Sequence, residues 1–244
     1  MSGLGVAIER FASLRRERPV NEDANKVWYL RQNRLFAEAT EAGVERSESI
    51  FTMCEMPRGT RVFDQGDTTR VVYLVKRGAV RIVRESEDGK DVTVALLGAG
   101  DLFGEETLFD DRPRATVAIV VEDALLCQAR AEDLFALLAG DPALALNVAK
   151  VLSDKLGDAR DTMEDLAHAR VGDRIEHLYR KLAGEHGVRV AGGTRVELRL
   201  THADVASLVG STRETVSAEI AKLVDAGRLR VEGKAVIVPG EVTA

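Results

Sequence analysis

The hydrophobic period of this chain switches after Asp141-Pro142. Before it, residues 62–130 carry the short runs VVYLV, AVRIV, VTVALL, ATVAIVV and ALLCQA. Most are separated by glycine-bearing or acidic stretches, DQGD, KRGA, EDGKD and GAGD. Many short strands with turn residues at close spacing predict an antiparallel sandwich or jelly roll rather than a βαβ sheet. After the switch, Ala145, Ala149, Leu152, Leu156, Ala159, Met163, Leu166 and Arg170 recur at alternating intervals of four and three, with Lys150, Asp154, Lys155, Asp158, Arg160, Asp161 and Glu164 on the other faces. That is the seam of a coiled coil. One reading is a long helix packed on its own domain. A continuous, narrow seam favours a partner helix, so a homodimer is expected through Leu152, Leu156, Ala159, Met163 and Leu166.

The 244 residues suffice for one large domain or two modest ones. No apolar run approaches the roughly 20 residues of a bilayer span. The opening MSGLGVAIERFASLRRERP breaks its apolar positions with Glu9, Arg10 and Arg15 to Arg18, unlike a secretory signal. A cytoplasmic protein with no membrane partner is expected. Cys54 and Cys127 have no ligand spacing, which excludes a disulfide scaffold and a four-cysteine iron-sulfur site. They are expected to be reduced and buried. The net charge of -6 argues against a nonspecific polyanion binder. Residues 171–244, however, hold 11 Lys+Arg against 10 Asp+Glu, which leaves -7 for the first 170 residues. A nucleic-acid surface is therefore to be sought near the C-terminus.

That C-terminal part begins with an amphipathic helix over 174–182. A Gly-rich turn, AGGT, follows between strands at 188–190 and 196–200, and then two close helices and a terminal hairpin. In THADVASLVGSTRETVSAEIAKLVDAG, Thr201 with Asp204, and Ser211 with Glu214, each place a hydroxyl three residues before an acid, the spacing of a capping box. Gly210 lies between the helices, where a tight turn tolerates positive φ. Ala206, Gly210 and Val216 have the spacing of a helix-turn-helix.

The second helix, over 211–224, would present Thr212, Arg213, Glu214 and Ser217 to base edges, flanked by Thr201 and Ser211. Arginine can pair with guanine O6 and N7, and glutamate can accept from cytosine N4. Capping alone would also justify Glu214, and Arg213 could be a plain exposed helix charge. LRVEGKAVIV, with Gly233 and Lys234 at its turn, reads as a wing whose Lys234 could reach phosphate.

Catalysis is not expected. Residues 35–130 contain no histidine, so a cupin-type imidazole metal centre is unavailable, and no GxSxG, P-loop or HExxH motif occurs. No catalytic residue and no metal ligand is assigned.

The order of β-roll, seam helix and winged helix resembles the CRP/FNR family of bacterial transcription regulators over about residues 35–238. The resemblance is most specific at Gly66-Asp67, Gly78, Phe103 to Glu105, Pro113 to Ala115 and Ser211 to Ser217. It implies an α+β fold with an N-terminal extension over 1–34 and a cyclic-nucleotide-binding-type β-roll (jelly roll) over 35–140. A dimerisation helix over 141–170 and a winged helix-turn-helix DNA-binding domain over 171–244 would complete it. It further implies a homodimeric regulator on palindromic double-stranded DNA, with RNA polymerase as a partner and Arg213 and Glu214 as base readers. At Ala218 the family very often has a third base-contacting residue, an arginine, so the half-site would be read incompletely or differently.

By the same resemblance Gly104, Glu105 and Arg114, with Ala115, have the spacing of a phosphate cassette for a cyclic nucleotide such as cAMP, an effector rather than a required cofactor. Backbone N-H groups and a buried arginine would hold the phosphate, and the glutamate would accept from the ribose 2'-OH. Ala159 and Arg160 fall where cAMP-responsive members carry a Thr-Ser pair that binds adenine, while Glu106 and Thr107 replace apolar or small residues. Three readings stay open: a ligand-controlled regulator; an effector-independent one whose vestigial pocket pairs Arg114 or Arg160 with local acids; and a cyclic-nucleotide sensor whose winged helix binds protein. An unpaired buried arginine would be costly, so an empty pocket demands another partner for Arg114.

Overall fold

The computed structural model describes residues 33–36, 39–86 and 91–240. The extension expected over 1–34 lies outside the described residues except for Asn33 and Arg34. The chain divides into two compact units, the described residues up to Val80 with Leu97–Asp154, and Arg81–Leu96 with the described residues from Lys155 onward.

In the first unit a short 3-10 turn, Arg34–Phe36, precedes helix α1 (Glu41–Ile50), and strands β1 (Thr52–Met56) and β2 (Arg61–Phe63) follow. The main strands are β3 (Val71–Arg84), whose last four residues fall in the second unit, and β6 (Val117–Arg130), with the two-residue β5 (Leu102–Phe103) between them; β4 (Val92–Leu97), all but Leu97, also falls in the second unit. The sheet runs in the order β1-β6-β3-β4, with β2 added to β6 and β5 to β3. Strand β6 serves two partners in succession. Its first residues pair with β2, Ala118 opposite Phe63, and its later ones with β1, Leu126 opposite Cys54. Cys54 and Cys127 are buried and form no disulfide.

Two expected pairs of strands are single strands here. VVYLV and AVRIV join through KRGA into β3, and ATVAIVV and ALLCQA join through Glu122-Asp123 into β6. Gly78 holds φ at 82° in mid-strand, so the glycine takes up a local irregularity rather than reversing the chain. Asp123 is tolerated in β6 because its carboxylate accepts from the backbone N-H of Arg58 at 2.8 Å.

The core of this unit joins Val72, Leu74, Leu102 and Cys127 from the strands to Phe36, Val44 and Phe51, to Leu134 of α2 (Ala131–Gly140) and to Leu144 and Val148 of α3 (Pro142–His168). Buried Asp141 fastens the start of α3. One carboxylate oxygen accepts from Leu144 N at 3.2 Å, as an N-cap does. The other accepts from Thr40 N at 3.3 Å and Thr40 Oγ1 at 2.8 Å.

In the second unit α4 (Val171–His186) packs beneath a four-stranded antiparallel sheet ordered β7-β8-β10-β9. Its strands are β7 (Gly187–Val190), β8 (Gly193–Val196), β9 (Arg230–Glu232) and β10 (Ala235–Pro239), and helices α5 (His202–Leu208) and α6 (Arg213–Asp225) lie between β8 and β9. Ile175, Tyr179, Val205, Val216, Ile220, Leu223 and Ile237 are buried there. The amphipathic helix is longer than the 174–182 of the sequence pattern. Strand β8 includes Gly193 and Thr194 and ends at Val196, so AGGT is half turn and half strand, and the strand expected over 196–200 is displaced. The long helix ends at His168, and Arg170 is the N-cap of α4 rather than the last seam position. Among the described residues no single helix is long and apolar enough to cross a membrane.

Candidate functional site

Two groups of residues carry the chemistry, one in each unit. The first surrounds Arg114. Strand β5 brings Leu102 and Phe103 beside Leu74 and Tyr73 of β3, and Gly104 then turns the chain into a 3-10 helix, Glu105–Leu108. Gly104 has φ 77°, and a Cβ there would stand 2.9 Å from both Arg114 Nη1 and the Val71 carbonyl. Only glycine permits this backbone at this distance from the guanidinium. From the other side, the turn between β2 and β3 clasps the main chain of Arg114. Gly66 N donates to Arg114 O, and Arg114 N donates to Asp67 O, each at 2.8 Å.

The guanidinium so placed is 1% exposed. Nη2 donates to the carbonyls of Val71 at 2.6 Å and Thr69 at 3.1 Å. Its carbon lies 4.0 Å above the Phe63 ring, a cation-π contact strengthened by burial. Phe63, Tyr73 and Phe103 form one aromatic group, Tyr73 and Phe103 stacked at 4.9 Å. Burial pushes the Tyr73 phenol well above its ordinary pKa, with Arg114 pulling the other way, so the phenol stays neutral. This aromatic floor went unread in the sequence, because Tyr73 and Phe103 meet only through the β3–β5 register.

The charge on Arg114 is balanced by a residue of its own chain. Nη1 donates to Glu106 Oε1 at 2.7 Å. Glu105 is half-buried at the start of the 3-10 helix, and Ala115 is exposed. Thr107 is buried, its hydroxyl donating to the Gly104 carbonyl at 2.9 Å while its own carbonyl accepts from Arg70 at 2.9 Å. Its hydroxyl serves the turn. Ala159 and Arg160 are exposed positions of α3.

The second group is the α5-turn-α6 unit. Thr201 and Asp204 form the expected capping box, with Thr201 N donating to Asp204 at 2.9 Å and Asp204 N to Thr201 Oγ1 at 3.1 Å. Gly210 takes φ 60° in the turn, where a Cβ would meet Leu166 Cδ2 at 2.9 Å, and Ser211 N donates to Ala206 O at 2.9 Å. The second expected capping box is not formed. Thr212 is the N-cap of α6, its hydroxyl accepting from Thr215 N at 3.2 Å, and the helix runs over Arg213–Asp225 rather than 211–224. Helix φ/ψ begins one residue after Thr212, which places Ser211 in the turn and Glu214 too early to cap. Glu214 thereby loses its capping role, keeping only the general preference for an acid in the first turn of a helix.

Val216, Ile220 and Leu223 bury one face of α6, while Thr212, Arg213, Glu214 and Ala218 are exposed on the other. Neither the Arg213 nor the Glu214 side chain has a hydrogen-bonding or ionic partner among the described residues. Ser217 is engaged, donating to Arg213 O at 2.8 Å and meeting His202 Nδ1 at 2.7 Å. Lys234 is exposed at the turn of the β9–β10 wing. Behind this surface the buried Glu176 accepts from Arg180 at 2.7 Å and pairs with Arg228 after α6. Burial alone would raise the pKa of Glu176, but the hydrogen bonds from Arg180 and Arg228 outweigh it and hold the carboxyl below its ordinary value.

The seam of α3 is divided. Ala145 and Leu152 pack against the β-roll core, as the self-packing reading required of that end. Leu156 and Met163 are 52% and 64% exposed, and Ala159 is exposed beside them. Leu166 reaches the Gly210 turn.

Comparison with known proteins matches both groups to described domains. Residues 53–141 match the cyclic nucleotide-binding domain and residues 169–240 the Crp-like helix-turn-helix domain. The chain is similar to the Cyclic AMP receptor protein of Thermus thermophilus, 34% identical over 197 residues covering 81% of this chain and 88% of that one. It is also similar to the CRP-like cAMP-activated global transcriptional regulator of Mycobacterium tuberculosis, 30% identical over 184 residues covering 75% and 82%. Among solved structures, the c-di-GMP-responsive global regulator CLP of Xanthomonas campestris superposes with a TM-score of 0.67 at 28% identity, over 82% of this chain and 100% of that one.

Proposed function

Because the chain belongs to the CRP/FNR family of DNA-binding transcription regulators, we propose that it acts as a homodimer that reads a palindromic double-stranded site through the first turn of α6. Arg213 and Glu214 are the base readers, and Thr212 and Ser217 lie beside them at the base edges. Thr201 and Ser211 flank the groove, and Lys234 touches phosphate from the wing. The observation that carries this reading is the contrast within one helix. Val216, Ile220 and Leu223 are buried, whereas Arg213 and Glu214 project outward with no partner among the described residues. A charge pair held at a helix start and left unused by the fold is available to a ligand with matching donors and acceptors.

The dimer forms along α3 through Leu156, Ala159 and Met163, with Leu152 and Leu166 at the ends of the contact. The domains are the β-roll over 35–140, the helix over 141–170 and the winged helix over 171–244. RNA polymerase is the protein partner, the cytoplasm the location, and catalysis, metal and a required cofactor have no part. The effector site is that of Gly104, Glu105, Arg114 and Ala115, and its ligand is a cyclic nucleotide, with cAMP the first to test; Ala159 and Arg160 are the α3 positions that the family resemblance assigns to the purine.

Footprinting and titration of an operator-bearing duplex test the central part. Arg213→Ala is expected to weaken binding by about 1–3 kcal/mol and to relax base preference within each half-site. Identical footprints at unchanged affinity would show that α6 does not read the DNA.

A further inference from the structure

We propose that Glu106 is a built-in competitor for the effector, occupying the place of the cyclic phosphate on Arg114, so that a ligand binds only by exchanging its anion for this carboxylate. The proposal rests on the reading of the Arg114 pocket as an effector site and specifies how that site is regulated.

The guanidinium is confined on three sides. Carbonyls of Thr69 and Val71 take Nη2, the Phe63 ring lies across one face, and Gly104 approaches both terminal nitrogens so closely that a Cβ would collide with Nη1. None of these partners carries a charge. The remaining side holds the Glu106 carboxylate, 2.7 Å from Nη1. Since Arg114 is 1% exposed, its charge cannot be left to water, and the carboxylate is its compensating anion. Arg114 Nε is also buried, with no hydrogen-bond partner among the described residues. The pocket therefore keeps an unused donor on the group that a phosphate would address.

The two partners differ in how firmly they are held. Arg114 is fixed through its main chain to Gly66 and Asp67 as well as through its guanidinium. The Glu106 side chain is 49% exposed and stands on a single turn of 3-10 helix. It can leave Arg114 and be solvated at little cost, which Arg114 cannot do. A cyclic phosphodiester carries one negative charge on two non-bridging oxygens. Replacing the carboxylate by it preserves the charge of the buried site and offers the guanidinium a second acceptor. The exchange is therefore near balance, and the apparent affinity is the intrinsic affinity reduced by the fraction of molecules in which Glu106 has let go. Where the vestigial-pocket reading has Arg114 paired for good, this reading makes the pair the resting position of a switch.

The assay is calorimetric titration of the full-length protein with cAMP, and with adenosine as the uncharged counterpart. Glu106→Gln keeps the shape of the side chain and removes its charge, and it is expected to bind cAMP at least about tenfold more tightly than the parent protein, the tenfold step corresponding to ~1.4 kcal/mol. Adenosine affinity is expected to be unchanged. Glu106→Ala, checked with Glu106→Gln for native circular dichroism, is expected to shift cAMP affinity in the same direction and to gain a larger rise in melting temperature on adding cAMP. Parent and variants binding cAMP equally would overturn the competitor while leaving the pocket an effector site. An equal gain for adenosine would overturn the anion exchange. No cAMP binding by parent or either folded variant would overturn both the exchange and the effector reading beneath it.

Discussion

Asp141 joins the β-roll core to α3, the helix proposed to carry the dimer contact, and its replacement gives a stability loss that can be worked from its bonds. Its carboxylate caps α3 through Leu144 N and accepts twice from Thr40, all in a buried setting. An N-cap contributes about 1 kcal/mol, and hydrogen bonds to an ionised group roughly 1.5–3 kcal/mol each before the partial recovery of Thr40 by water. Asp141→Ala is thus expected to cost about 3 kcal/mol. Asp141→Asn, which keeps an acceptor for Leu144, is expected to cost about half as much.

For a unit of this size about 3 kcal/mol corresponds to roughly 10 °C in melting temperature. Burial alone would raise the Asp141 pKa, but hydrogen bonds from Thr40 and from the N-terminal amides of α3 outweigh it, and the carboxyl is held below its ordinary value. A group with a depressed folded pKa contributes fully above its unfolded pKa and loses that contribution as pH falls through the folded one. The gap between parent and Asp141→Asn should therefore be complete at pH 7 and close as pH drops below about 4. Scanning calorimetry at pH 7, 5 and 3.5 measures it. A melting temperature for Asp141→Ala within about 2–3 °C of the parent, or a gap that does not narrow in acid, would show that the Asp141 carboxylate does not hold α3 to Thr40.

Glu176→Gln is expected to lower the melting temperature of the winged-helix unit by several degrees, because Arg180 and Arg228 converge on a buried carboxylate, and calorimetry at pH 7 reads the shift. Leu156→Asp with Met163→Asp is expected to turn a sedimenting dimer into a monomer by placing like charges along the exposed stripe of α3. Gly104→Ala is expected to lower stability and any cAMP affinity together, since φ 77° and the 2.9 Å approach to Arg114 Nη1 both disfavour a side chain. Thermal melts and calorimetric titration of that variant measure the two effects.

Local signals were the legible part of the sequence. The Thr201–Asp204 box, Gly210 in its turn and the wing around Gly233-Lys234 depend on residues a few positions apart, and the structure places each as read. The period switch was read ten residues late: helix already begins at Ala131, directly after β6, and Asp141 separates that short helix from the long one. Gly78 misled because positive φ serves a mid-strand irregularity as well as a turn. Ser211 misled because two adjacent hydroxyls, Ser211 and Thr212, compete for one N-cap and spacing to Glu214 does not decide between them. The approach of Gly104 to the Arg114 guanidinium agrees with their reading as neighbours, and an internal acid for Arg114 was foreseen in general terms. Its identity, and the Phe63–Tyr73–Phe103 floor, depend on strand register and on a single 3-10 turn. Neither leaves a periodic trace.

DNA reading by α6 is tested by selection from randomised duplexes with the purified full-length protein, in parallel with Arg213→Ala. The parent is expected to enrich a two-fold-symmetric site with half-sites about one helical turn apart, and Arg213→Ala to lose preference at one base pair in each half-site. No enriched sequence from the parent, or the same site enriched to the same degree by Arg213→Ala, would contradict it.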